Sequence, residues 1–188
     1  MADDIKNSAV MAVIIAMFCM ALYILIRFRD WGFSVGVFFS VFVTTLCIIA
    51  FYTLFWKILP FSMEVDQTFI AAILTVIGYS INDTVVVFDR IRETIKDYPK
   101  RDRFQVINDA LNSTLSRTFN TTLSTFVVVF CIFLLGGTTI RSFTFAIMLG
   151  VLVGTYSTLF VATPIAYEIQ KRRMAKKGII SEPATAKK

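Results

Sequence analysis

Gly78-Tyr79-Ser80-Ile81-Asn82-Asp83-Thr84-Val85-Val86-Val87-Phe88-Asp89-Arg90 is the stretch whose reading decides the fold. It closes an apolar run that begins near Thr68 and sets a carboxylate, Asp83, into that run with an amide and two hydroxyls beside it. An ionised carboxylate in hydrocarbon costs about 2.5 to 3.5 kcal/mol on insertion scales. Such a group normally faces the interior of a helix bundle and acts on a proton or an ion. Asp83 is therefore the first candidate for a functional centre.

The rest of the chain supports a membrane setting. Of 188 residues, 56% are hydrophobic and only 17% charged, and 19 are Phe, a profile outside the soluble globular range. Five apolar runs stand out: Ser8–Ile26, Phe33–Trp56, Thr68–Phe88, Thr118–Leu135 and Phe143–Tyr167. Each is near or above the roughly 18 residues that cross about 30 Å of hydrocarbon. The first lacks a basic leader and ends in no small-residue cleavage pattern, which argues against a signal peptide. The expected fold is all-α, a polytopic bundle of five transmembrane helices.

A formal charge of +6 invites a nucleic-acid reading, and its placement argues against one. Lys and Arg cluster in Arg27–Arg29, Arg90–Arg103 and Lys171–Lys188, with only Lys6, Lys57 and Arg141 on the other side of the membrane. With five spans, the positive-inside rule puts the N-terminus outside and the C-terminus in the cytoplasm. The excess charge is then topological, with anionic lipid headgroups as its secondary contact and no nucleic acid as partner.

The connections follow from the same map. Arg27-Phe28-Arg29-Asp30-Trp31 reads as a tight cytoplasmic turn, and Lys57–Gln67 as an external loop in which Pro60 ends the second helix and Trp56 marks the interface. The long loop after Arg90 is broken by Pro99. From Phe104 it turns amphipathic, with Phe104, Ile107, Leu111 and Leu115 at helical spacing. That pattern predicts a helix over about 104–115 in the cytoplasmic headgroup plane, feeding into the fourth span. Gly136-Gly137 is a short external turn, and residues 171–188 form a basic cytoplasmic tail that ends disordered. Cys19, Cys47 and Cys131 lie within spans without metal-ligand spacing, and read as small buried apolar residues. There is no histidine, so a proton carrier here must be a carboxylate.

Two polar stripes remain. On the third span Tyr79, Asp83 and Val86 share a face, flanked by Ser80 and Thr84, with Asn82 as possible interhelical glue. On the fourth, Arg117, Asn120, Thr121 and Ser124 fall at i, i+3, i+4 and i+7. A fourth helix beginning near Leu115 would hold Arg117 at its cytoplasmic end, with Asp83 about 8 Å deeper on its neighbour. Desolvation favours the neutral acid and a nearby guanidinium favours the carboxylate. An Asp whose Arg neighbour comes and goes would thus take up and release a proton in turn; the alternative is a static ion pair locking two helices. Asp89 and Arg90 read as a solvated helix end. Gly150, Gly154 and Thr158 form a small-residue face suited to close helix packing, with a polar pathway as the lesser option, and Pro164 should kink the fifth helix near its end.

At these residues the chain resembles the SecF family of accessory subunits of the bacterial protein-export translocon. Ile77–Glu93 looks like the family signature, and Leu115-Ser116-Arg117-Thr118, Gly136-Gly137 and Gly150–Ser157 match its later segments in order. The wider superfamily is the resistance-nodulation-division transporters. The resemblance implies a membrane transport protein rather than an enzyme. It implies SecD (or a SecD half) and the SecYEG channel as partners, a preprotein as cargo, and protons as the coupling ion with no other cofactor. It implies the bacterial inner membrane, with the N-terminus periplasmic. It assigns the proton-binding role to Asp83 and the counter-charge to Arg117, with Asn82, Thr84, Asn120, Thr121 and Ser124 as polar support. Two departures qualify it. The family normally carries a further span and a periplasmic domain ahead of the position of Ala2, so this chain is expected to be a fragment or the tail of a fusion. A His-Asp pair common in the family's second span is replaced here by Val43 and Thr44, which removes the expectation of a polar role for that helix. The rival functions are a structural translocon subunit that moves no proton, and a small-molecule or lipid exporter of the same superfamily.

Overall fold

In hydrocarbon every backbone N–H and C=O must bond within its own helix, so a spanning segment tolerates few breaks. The four prolines, at 60, 99, 164 and 183, leave the first four apolar runs untouched. The computed structural model describes residues 2–28, 30–55, 57–58 and 66–176, and among them every regular element is helical. α1 is Ala2–Phe28, α2 Trp31–Phe55, α3 Gln67–Asp97, α4 Arg103–Leu135, α5 Thr138–Ser157 and α6 Thr163–Lys176. A π-helical turn, Thr158–Ala162, joins the last two. Five helical stretches are long and apolar enough to cross a membrane, with α5 and α6 together forming the fifth. The expected turn residues Arg29, Trp56 and Pro60, and the tail beyond residue 176, lie outside the described residues.

Two expectations change. The amphipathic stretch 104–115 is not a separate interfacial helix. It is the first third of α4, which runs unbroken because no glycine or proline lies between Arg103 and Leu135. Its packed face is also rotated from the expected one. Val106, Ala110, Thr114, Thr118 and Thr122 are buried at four-residue spacing, while Phe104 and Leu115 face outward. The third helix likewise continues past Arg90 to Asp97, capped where the Tyr98 N–H donates to Thr94 O at 3.0 Å ahead of Pro99. The α3–α4 hairpin therefore projects well beyond the apolar runs.

α3 and α5 make the centre. α3 presents Phe69, Ala72, Ile73, Val76, Ile77, Ser80, Ile81, Thr84, Val87 and Phe88 inward, a helical stripe wide enough to touch α1, α2, α4 and α5. Close approach to α5 depends on Gly150 and Gly154. A Cβ on Gly150 would overlap Val76, and one on Gly154 would sit 3.2 Å from Ser80. The small-residue face thus does pack closely. At the basic end, Phe28, Phe33 and Phe88 interlock with centroids 4.6 to 6.1 Å apart. At the other end Tyr52 lies against Phe69 and Phe145, and its hydroxyl donates to the Ser142 carbonyl. Cys19 and Cys131 are exposed on the bundle surface rather than buried, so they are small residues of the outer face.

The kink expected at Pro164 takes the form of the π turn. Pro164 has no N–H to offer, and the Thr163 N–H reaches back five residues to Thr158 O, widening the helix there. Gly36 on α2 fits against this turn, where a Cβ would come within 2.6 Å of Ala162 O.

The start of α3 carries its own stabiliser. Asp66 caps the helix, its Oδ1 accepting from the Phe69 N–H at 2.9 Å and from Thr68 Oγ1 at 2.7 Å. Partial burial alone would raise its pKa, but these hydrogen bonds outweigh it and hold the carboxyl below the usual range. Asp66→Ala should cost about 1 kcal/mol of unfolding free energy, the ordinary worth of an N-cap. A depressed folded-state pKa stabilises above the unfolded value of about 4. The gap between wild type and Asp66→Ala should therefore hold at neutral pH and close as pH falls through the lowered pKa. Detergent-denaturation curves at stepped pH would measure it.

Candidate functional site

Asp83 lies 14 residues before the end of α3 and Arg117 lies 14 residues after the start of α4. In an antiparallel hairpin those positions are level, each about 21 Å from the tip. The depth difference expected from a helix starting near Leu115 is thus removed, because α4 begins twelve residues earlier, at Arg103.

The two side chains line one small cavity of about 50 Å³, together with Tyr79, Asn82, Val86 and Thr121. They are not in contact as an ion pair. Asp83 Oδ1 instead accepts a hydrogen bond from Thr118 Oγ1 at 3.0 Å, while Asp83 Oδ2 is buried and finds no hydrogen-bond partner among the described residues. The carboxyl is thus oriented through one oxygen, and the other is left for a proton or for a donor that arrives. Buried polar atoms are normally satisfied, so an orphan oxygen on a carboxyl group marks a place with a task. The static ion pair weighed for these two residues does not form.

The other expected support residues divide. Thr84 is 1% exposed; its Oγ1 donates to Ser80 O and lies 2.8 Å from Thr158 Oγ1 on the π turn. Asn82 faces outward beside the cavity. Arg117, Asn120, Thr121 and Ser124 are all exposed on one strip of α4, and Ser124 Oγ bonds only back to Asn120 O. Asp89 and Arg90 are partly or fully exposed as expected, but they lie within α3 and not at its end, since the helix runs on to Asp97. Asp89 pairs with Arg27 at 3.0 Å, and Arg90 with Glu93 at 2.7 Å.

Comparison with known proteins then places the chain. Residues 1–172 match the family model described as protein export membrane protein SecD/SecF, C-terminal. The chain belongs to the SecD/SecF protein-export family. It is 44% identical over 178 residues to the protein translocase subunit SecF of Rhodothermus marinus, covering 95% of this chain and 58% of that one. It is 42% identical over 172 residues to the SecF of Petrotoga mobilis, covering 92% and 55%. A crystal structure of SecDF in its super-membrane-facing form superposes with a TM-score of 0.83 at 35% identity, over 95% of this chain and 23% of that one. A SecDF structure from Thermus thermophilus gives 0.79 at 38% identity, over 89% and 22%. The chain spans about half the length of the curated SecF relatives it matches. It is a multi-pass membrane protein of a transport family.

Within this SecD/SecF chain, the structure adds polar residues that sequence reasoning passed over. Thr118, the partner of Asp83, follows Arg117 directly, yet it faces the packed side while Arg117 faces out. Thr122 meets Thr155 at 2.8 Å, and Ser40 Oγ meets Ser157 Oγ at 3.0 Å. The second helix does carry hydroxyls at its centre beside Val43: Ser40 supplies the link and Thr44 is buried beneath it, bonded to Ser40 O. With Thr84 and Thr158, these hydroxyls form a polar layer across α2, α3, α4, α5 and the π turn. A signal was available in Thr114, Thr118 and Thr122, hydroxyls at four-residue spacing on one face of α4.

Proposed function

We propose that this chain is the membrane-embedded part of a protein-export subunit that couples the proton gradient to preprotein movement. It acts with SecD, or a SecD half, beside the SecYEG channel in the bacterial inner membrane, N-terminus periplasmic and C-terminus cytoplasmic. The observation that carries this reading is Asp83 itself: one oxygen oriented by Thr118, the other buried and unpartnered, in a cavity shared with an unbonded Arg117. Protonation at Oδ2 neutralises the carboxylate, and approach of Arg117 expels the proton again. Each proton crossing about 100 mV supplies roughly 2.3 kcal/mol, so the movement it drives is a small step, repeated.

The exposed polar strip of α4 supports the partner. Arg117 facing hydrocarbon would cost about 2.5 to 3.5 kcal/mol, and a second bundle laid over Arg117, Asn120, Thr121 and Ser124 removes that cost. The relatives' SecDF structures are the setting in which such a bundle is at hand.

Asp83→Asn tests the reading. The amide keeps the size and can still accept from Thr118, so the bundle should assemble at wild-type levels. Gradient-dependent preprotein export, measured in membrane vesicles, should fall at least about tenfold, the cost of losing roughly 1.4 kcal/mol of coupling. Wild-type export by an assembled Asp83→Asn protein would leave a structural subunit as the answer.

A further inference from the structure

A helical threonine has one proton to donate, and it ordinarily goes to the carbonyl one turn back. Thr45, Thr53, Thr84, Thr94, Thr114 and Thr155 all place theirs so, at 2.8 to 3.3 Å. Thr118 gives its proton to Asp83 Oδ1 instead, across to α3 at 3.0 Å. Four residues on, Thr122 departs in the same way. Its oxygen lies 2.8 Å from Thr155 Oγ1, whose own proton is committed to Val151 O, so Thr122 is the donor. One face of α4 thus reaches two neighbours with two hydroxyls a turn apart, α3 through Thr118 and α5 through Thr122. Both are buried, at 1% and 7% exposure, and beyond Thr122 no described residue of α4 is buried.

The two bonds differ in one property. Thr155 is a neutral acceptor throughout, whereas Asp83 carries a charge that a proton removes, and a hydrogen bond to an ionised acceptor is about twice as strong as a neutral one. We propose that Thr118 is a positioning residue that reads the charge on Asp83: bonded to the carboxylate it clasps α4 to α3, and proton uptake slackens that clasp while Thr122 keeps α4 on α5. A slack hydroxyl has the ordinary alternative in reach, the Thr114 carbonyl one turn back on its own helix. Proton uptake thereby changes which neighbour holds α4. Among the described residues, Tyr79 and Arg117 are the other titratable or charged side chains that line the Asp83 cavity. The remaining charges of α3 and α4 lie more than a turn nearer the hairpin tip. The π turn and α2 carry no charge, α5 carries Arg141 in its first turn, and Arg27 of α1 is paired with Asp89. The inference rests on the proton-coupling reading and deepens it by naming the contact that the proton alters.

The test is a double-mutant cycle in the full-length protein, read as the unfolding equilibrium in mixed SDS micelles in alkaline buffer. Thr118→Val keeps the shape of the side chain and removes its proton. Asp83→Asn holds a neutral acceptor in the same place and stands for the protonated acid. Thr118→Val should shift the equilibrium toward unfolding by a factor at least about fivefold larger in the wild-type background than in Asp83→Asn, because an orphaned carboxylate oxygen is worse than an orphaned amide oxygen. Thr122→Val should shift it by the same factor in both. Thr118→Ser, which keeps the donor, should restore the wild-type equilibrium and its dependence on Asp83. Equal effects of Thr118→Val in the two backgrounds overturn the clasp, as does a Thr122→Val effect that follows Asp83 equally. That result is separable from the fate of the proton reading. Equal effects with an export-dead Asp83→Asn remove the clasp alone, and a charge-dependent clasp with an export-active Asp83→Asn removes the proton role alone.

Discussion

Gly150→Leu is expected to prevent the bundle from assembling. In lipid there is little hydrophobic drive between helices, so close fit carries the association. At Gly150 α5 lies close against α3, and the Val76 methyls and Cβ occupy the space a side chain would need. Val76 is 1% exposed and β-branched, which leaves it one strongly preferred rotamer in a helix and no room to swing aside. Inserting methylenes into a packed site ordinarily costs about 1 to 3 kcal/mol, and here the strain falls on the central helix pair. The measurement is the yield of folded protein in membranes, followed by its resistance to denaturing detergent. Gly78→Ala is the matched control. Nothing lies within 4 Å of a Cβ at Gly78, so that change should be neutral or stabilising by up to about 1 kcal/mol through helix propensity. Equal damage from both substitutions would remove the packing explanation.

Arg117→Leu should be as severe for export and mild for assembly. The guanidinium makes no ion pair at contact distance among the described residues, so little bonding is lost when it goes. What disappears is the only positive charge that lines the Asp83 cavity among the described residues. On the proposed proton-coupling reading, loss of the counter-charge leaves the acid form favoured, and export is expected to stall after proton uptake. Gradient-dependent export should fall by about tenfold or more, since each 1.4 kcal/mol of lost coupling is a factor of ten. Arg117→Lys should recover part of it, because a point charge can still approach, though without the planar fork. The double variant Asp83→Asn with Arg117→Leu should be no worse than either single change if the two act as one unit. Multiplying defects would show independent roles and sink the pairing.

Much of this was legible in the residues, for identifiable reasons. A carboxylate in a 21-residue apolar run is rare enough to be noticed alone, and Arg117 shares a helical face with Asn120, Thr121 and Ser124, so both halves of the site stood out by polarity. Their common depth did not. It depends on where α3 and α4 end, and the amphipathic residues before Leu115 look like an interfacial helix until the missing Gly or Pro break is weighed. Thr118, Thr158 and Ser157 were hidden for a different reason. A threonine or serine can satisfy its hydroxyl on its own helix backbone, as Thr44 and Thr75 do, so its identity does not say whether it will reach a neighbour. Exposure was hidden as well. In a membrane bundle the outer face is as apolar as the core, and Cys19 and Cys131 could not be placed on it by composition.

The last span holds one more consequence. Positions 150, 154, 158, 162, 166 and 170 recur every four residues, and four residues overshoot an α-helical turn by about 40°. The row therefore spirals. Gly150 and Gly154 address Val76 and Ser80 on α3, Thr158 addresses Thr84, and Ala162 and Ala166 address Gly36 on α2, with Gln170 beside Gly32. A single register in the gene thus answers to two different helices in the membrane. Substitutions in its first half should co-vary with α3 and those in its second half with α2. A one-residue insertion or deletion near Leu159 would readdress every position that follows it.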